Sequence, residues 1–145
     1  MRRLSSVLGR LSLVVLPMFL LVGCSEAGSA SHARLSIVRV SERDFHIAVT
    51  PNRIPAGDAE LVVRNDGPDG HELIIVRARG SRLPVRLDGL TVDEDALHEV
   101  GAVEGLSPKT VRKVRLHLAP GRYEVFCNMA GHFMAGMSRT LVVHA

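Results

Sequence analysis

The sequence predicts an all-β protein, a β-sandwich of about seven to eight short strands with one short helical insert. Three observations carry that reading: short runs rich in Val, Ile and Leu, alternation within several of them, and Pro, Gly, Asn and Asp in the gaps between. In chain order the runs are RLSIVRV (34–40), FHIAVT (45–50), ELVVRN (60–65), HELIIVRA (71–78), VRKVRLHL (111–118), RYEVFC (122–127) and RTLVVHA (139–145). Period-2 spacing puts Phe45, Ile47 and Val49 on one face of their strand, and Val114, Leu116 and Leu118 on one face of theirs. Between the runs lie PNRIPAGD, NDGPDG, RGSRLP, SPK and APG, all turn chemistry. The exception is TVDEDALHEVGAVEGL (91–106), where Asp93 to Asp95 ahead of Ala96, Leu97 and Val100 predict a short capped helix.

At 145 residues the chain has room for one core, and part of that length is not domain. Arg2, Arg3 and Arg10 precede an apolar run from Leu11 to Val22 that is short for a bilayer span, interrupted by Pro17, and shaped like a secretory signal. Its end, LLVGCS, resembles the lipobox of bacterial lipoproteins, which implies cleavage after Gly23 and acylation of Cys24; an ordinary cleavable signal ending near a cysteine is the alternative. The expected organisation is a signal peptide (1–23), a lipidated N-terminus with a small, polar tether (24–34) and one domain (35–145). The signal carries three of the 18 basic residues and none of the 15 acidic ones, so the formal charge of +3 belongs to it and the mature chain is neutral. That balance, with no basic cluster interleaved with aromatics, excludes a nucleic-acid reading.

If Cys24 carries lipid, Cys127 has no partner for a disulfide, and a lone thiol in an oxidising compartment needs another reason to persist. CNMAGHFMAGM (127–137) supplies one, because it holds Cys127, His132 and Met137 at equal five-residue steps with Gly131 and Gly136 each just before a donor. Thiolate, imidazole and thioether suit a soft or borderline metal, and two histidines with one cysteine and a distant methionine make the blue-copper set. The second histidine must come from another strand, and His71, directly after NDGPDG, is the best placed. The glycines can take conformations that let one loop fold around an ion.

Each residue also has a plainer reading. Cys127 alone is a buried inert thiol, His71 a strand-edge histidine bonded to a carbonyl, and Met137 core filling beside Met129 and Met134. His46 and His117 fall on polar strand faces, His32 and His144 near termini, and His98 in the insert.

These residues together resemble the cupredoxins, single-domain blue copper proteins: an upstream N-x-G-x-x-x-H at Asn65, Gly67 and His71, and a downstream C-x4-H-x4-M at Cys127, His132 and Met137. The resemblance covers roughly 35–145 and implies a Greek-key sandwich holding one copper ion between the Nδ1 atoms of His71 and His132, the Cys127 sulfur and a weaker axial Met137. It implies an electron carrier rather than an enzyme, exported and membrane-tethered, monomeric, with redox proteins such as a cytochrome, oxidase or reductase as partners. Phe133, Met134 and Ala135 would form an apolar rim for docking. Tyr123, in P-G-x-Y, resembles the tyrosine corner of Greek-key sandwiches. Where many cupredoxins have Asn after the first copper histidine, this chain has Glu72, which either ties the two ligand loops by a hydrogen bond or lowers the potential by its charge.

No H-x-H pair is present and Phe126 and Asn128 flank Cys127, against the trinuclear cluster of multicopper oxidases. Zinc accepts Cys and His donors, but methionine in the fourth position favours copper. Two other functions compete: copper storage or delivery without redox turnover, on the strength of Met129, Met134 and Met137, and a thiol enzyme using Cys127 with His132, which would need no metal.

Overall fold

In a computed structural model, residues 34–80 and 82–145 are described. The signal-peptide, Cys24 and tether readings lie outside those residues. Among the described residues no helix is long and apolar enough to cross a membrane.

The described residues form nine strands: β1 (Ser36–Arg43), β2 (His46–Thr50), β3 (Arg53–Pro55), β4 (Gly57–Asn65), β5 (His71–Arg77), β6 (Glu99–Leu106), β7 (Val111–Leu118), β8 (Gly121–Phe126) and β9 (Ser138–His144). They build two mixed sheets, one of order β2-β1-β4-β7 and one of order β3-β9-β8-β5-β6. The chain passes between the sheets at β2–β3, β3–β4, β4–β5, β6–β7 and β7–β8, the crossing pattern of a Greek-key sandwich. The pairs β1–β4 and β3–β9 are parallel and the rest antiparallel.

Alternation sets which face is buried. Val38, Val40 and Ile47 with Leu61 and Val63 meet Leu73, Ile75, Val125 and Leu141 from the other sheet. Each such aliphatic side chain, fully removed from water, contributes about 1.5–3 kcal/mol. The outer face carries charge: Glu60 on β4 is buried there beneath Lys113 and Arg115 of β7, at 3.0 and 2.9 Å. Tyr123 is buried and its hydroxyl donates to the Ala119 carbonyl at 2.9 Å, fixing the entry to β8 as expected.

Two expectations need correction. The helix read from 91–106 is a single 3-10 turn, Glu94–Ala96, whose Asp93 makes no side-chain cap, and Glu99–Leu106 is strand β6. The turn does not extend because the chain from Glu99 to Leu106 pairs with β5, and register shifts in that pairing let both Val100 and Val103 reach the main core. Phe45 does not share a buried strand face with Ile47 and Val49. It sits in the two-residue turn between paired Arg43 and His46, with φ of +58°, and 60% of it is exposed.

The segment between β5 and β6 lies on the outer face of the five-stranded sheet and closes a second apolar cluster there. Ile74 and Val76 of β5, Phe126 of β8 and Val92 are buried in it, with Leu83, Leu97 and Phe133 packed against them. This explains why HELIIV is apolar on both faces: the inner face meets the other sheet and the outer face meets the insert.

Candidate metal centre

The site is built at one end of the sandwich by three segments. The first is the β4–β5 turn. Asn65, fully buried at the end of β4, donates from its amide to the carbonyls of Asp69 and Leu106 at 2.7 and 2.9 Å and accepts the Gly67 N–H at 2.8 Å. That network fixes the loop and delivers His71, 2% exposed, as the first residue of β5.

The second segment is the eleven-residue loop 127–137 between β8 and β9. Gly131 and Gly136 have φ of +82° and +105°, as the sequence required of the residues before the two donors. The loop is cross-braced: Cys127 N–H donates to the Met137 carbonyl, Met137 N–H to that of His132, and Ala135 N–H to that of Gly131, at 2.9–3.1 Å. Asn128, buried, accepts the Val92 N–H at 2.6 Å and donates to the Val92 carbonyl at 3.1 Å, while Gly131 N–H donates to Leu90. The insert therefore pins the loop from outside.

These elements bring three of the four predicted donors together. His71 Nδ1 and His132 Nδ1 stand 3.3 Å apart, and the Cys127 sulfur lies 3.8 and 3.5 Å from them. The circle through these three atoms has a radius of about 2.1 Å, close to the roughly 2.0–2.3 Å at which imidazole nitrogen and thiolate sulfur bind a divalent first-row ion, so an ion near its centre reaches all three with little movement. Two imidazoles facing nitrogen to nitrogen beside a thiol either share a proton between them or hold a cation there. Met137 is fully buried and bonded through its backbone to both Cys127 and His132, whereas Met129 and Met134 are 42% and 55% exposed.

Burial acts oppositely on the two kinds of donor. Burial, and next the neighbouring His132, hold His71 below the usual imidazole range, with Asp44 and Asp69 partly offsetting them, so its Nδ1 lone pair is free near neutrality. Burial pushes the Cys127 thiol up to about 11, although the N–H groups of Glu72 and Met129 aim at the sulfur and favour thiolate. A metal ion must displace that proton. With Zn(II) as a redox-silent occupant, apparent affinity should rise about tenfold per pH unit between roughly pH 7 and 9. Calorimetry in buffers of different ionisation enthalpy should count one proton released, and a pH-independent affinity would contradict the buried thiol.

Sequence reading missed three neighbours of the site. Asp44, in the β1–β2 turn, places Oδ1 3.5 Å from His71 Nε2, the ring nitrogen that faces away from Cys127. Phe45 meets the His132 ring edge to face at 5.6 Å. Its left-handed backbone costs on the order of 1–2 kcal/mol, a strain retained where the ring covers a metal-binding histidine. Glu42, at the end of β1, is fully buried with neither carboxylate oxygen hydrogen-bonded among the described residues. No spacing relation ties these residues to the donors, so only the fold reveals them.

Gly67 of the upstream motif gains a specific reason. A Cβ there would lie 2.7 Å from Asp44 Oδ1 and 3.2 Å from His71 Nε2, so only glycine admits this carboxylate–imidazole approach. Gly67→Ala should displace Asp44 and weaken metal retention about 10- to 100-fold; chelator competition measures it, and unchanged retention removes Asp44 from the account. Glu72 is half-buried, and burial first and Glu94 next hold its carboxyl above the ordinary range, with the Asn128 N–H acting the other way.

A two-sheet sandwich with this donor set at its end defines the cupredoxin-like fold, and the His71, Cys127 and His132 group fits one type 1 copper ion. The fold is similar to that of dithionite-reduced auracyanin from the photosynthetic bacterium Roseiflexus castenholzii, with a TM-score of 0.56 and 16% identity over 76% of this chain and 98% of that one. Auracyanin A, a "blue" copper protein from Chloroflexus aurantiacus, gives a TM-score of 0.56 at 14% identity, covering 77% of this chain and all of that one. Rusticyanin from Thiobacillus ferrooxidans gives 0.53 at 21% identity, over 74% and 77%. At these identities the likeness is one of fold. No protein-family model and no curated protein matches the sequence.

Proposed function

We propose that the protein is a mononuclear type 1 copper protein that carries single electrons between redox partners outside the cytoplasm, held at the membrane through lipid on Cys24. The observation that carries the proposal is the triangle of two imidazole nitrogens and one thiol sulfur around a point about 2.1 Å from each. Met137, buried at the end of that loop, would be the fourth donor in this reading. Copper bound there supplies one-electron chemistry between Cu(I) and Cu(II).

The chain's own residues do the rest. Asn65, Asn128 and the braced 127–137 loop hold the donors in place, which keeps rearrangement between oxidation states small. The N–H groups of Glu72 and Met129 stabilise negative charge on sulfur. His132, less buried than His71, stands behind Phe45 and beside Phe133, Met134 and Ala135, the apolar rim through which a partner approaches.

The kinship in fold to auracyanin and rusticyanin supports the carrier reading. The exposed thioethers of Met129 and Met134 favour a second one, delivery of Cu(I). Adding Cu(II) to the metal-free domain separates them: an electron carrier develops an intense blue colour that bleaches on reduction and returns on oxidation. Binding of Cu(I) alone, or prompt transfer to an acceptor, supports delivery, and colourless, redox-silent protein refutes the carrier reading.

A further inference from the structure

A groove of about 430 Å³ runs along the outer face of β8 and β9 and ends at the metal loop. Its apolar side is made by Leu83, Phe133 and Met134, the last only two residues past His132. Its polar side carries Arg82 and Arg122. One carboxylate lies on the wall, Glu124, which accepts the Thr140 hydroxyl at 3.1 Å.

The segment 77–86 holds four arginines and no acidic residue. Two of them are engaged: Arg77 donates to the Pro120 carbonyl and lies over the Tyr123 ring, and Arg86 pairs with Asp95 and Asp93. The others are not. Among the described residues no carboxylate lies within 4.0 Å of Arg79 or Arg82, nor of Arg122 or Arg139 on the strands beside them. Over residues 24–145 acidic and basic residues are equal in number, yet the described residues place Arg79, Arg82, Arg122 and Arg139 together beside the metal loop with no carboxylate partner, as Arg39, Arg53 and Arg112 are without one elsewhere on the surface.

We infer that this groove docks an acidic segment of a redox partner, with an apolar side chain of that segment against Phe133 and Met134. The inference rests on the electron-carrier reading and names the chemistry of the partner. Charge complementarity decides the occupant, because guanidinium forks bind carboxylates and the steering they supply acts on encounter rate. The apolar floor then holds the partner within reach of His132.

The test uses the copper-loaded, full-length protein and two probes. A deca-glutamate peptide titrated into the reduced, 15N-labelled protein should shift amides of 78–85, 122–124 and 133–134, and the shifts should vanish in the double variant Arg82→Glu, Arg122→Glu. Oxidation by ferricyanide, a small anion, should slow roughly tenfold or more in that variant at low salt, and the difference should shrink at high salt. The visible spectrum should be unchanged in the variant, since neither arginine touches a donor. Shifts elsewhere, the same shifts evoked by phosphatidylglycerol vesicles in place of the peptide, or an unchanged rate overturn the inference. Absence of any electron exchange in the parent protein overturns the carrier reading and this inference together; exchange at an unaltered rate overturns this inference alone.

Discussion

Cys127→Ser will abolish the blue colour and reversible copper redox while leaving the sandwich folded. The visible band of a type 1 site needs a thiolate donor, and a serine hydroxyl neither ionises near neutrality nor suits a soft ion. Copper affinity should fall on the order of a hundredfold or more. The fold should survive because the new hydroxyl has company in a fully buried place: His71 Nδ1 and His132 Nδ1 within 3.8 Å of the present sulfur, and the N–H groups of Glu72 and Met129 aimed at it. An unpartnered hydroxyl would cost about 1–3 kcal/mol, and partners cut that, so a melting temperature lowered by a few degrees is expected. Visible spectroscopy and thermal unfolding of the same sample decide it. A variant that stays blue removes Cys127 from the donor set.

Glu42 gives the second large effect. Its carboxyl is pushed up to about 8, by burial first and by the nearby Glu72 second. The sign follows from the two states. Above pH 4.5 the unfolded chain ionises Glu42 while the native protein keeps it protonated, so stability falls as pH rises from about 4.5 to 8. The full loss is on the order of 5 kcal/mol. Glu72, also raised, acts in the same direction, and His71, lowered, acts in the opposite direction below its ordinary value. Comparison with Glu42→Gln isolates the Glu42 share. Urea unfolding of the metal-free protein at pH 5 and pH 8 should show a stability drop that this variant largely lacks, and Glu42→Leu should exceed the parent at pH 8. Equal drops in parent and variant would show that Glu42 is ionised or solvated in the native state.

Most of the fold was legible because strand signals are local. All seven runs read from alternation and turn chemistry became strands, and VRKVRLHL matched β7 residue for residue. Two strands escaped. Arg53–Pro55 is three residues long between prolines, too short to show a period. EVGAVEGL lay behind an acidic stretch that imitates a helix start, and only pairing with β5 decided it.

The site divided along similar lines. Cys127, His132 and Met137 share one loop, so their spacing is visible in the chain, and Asn65, Gly67 and His71 share one turn. Asp44, Phe45 and Glu42 come from a hairpin whose place beside the donor residues is set by the β1–β4 pairing and the packing of the two sheets. Such neighbours are created by topology, and sequence distance gives no hint of them. The groove beside the metal loop is a similar case, since its arginines come from an insert and from β8.

The double-sided greasiness of β5 leaves this protein vulnerable to a particular kind of damage. A protease nick in the stretch from Gly80 to Leu90 would free the flap over Ile74, Val76 and Phe126 without touching the interior between the sheets. The clipped molecule would still be folded, but it would wear a sticky stripe next to its metal loop, so self-association should set in well before melting.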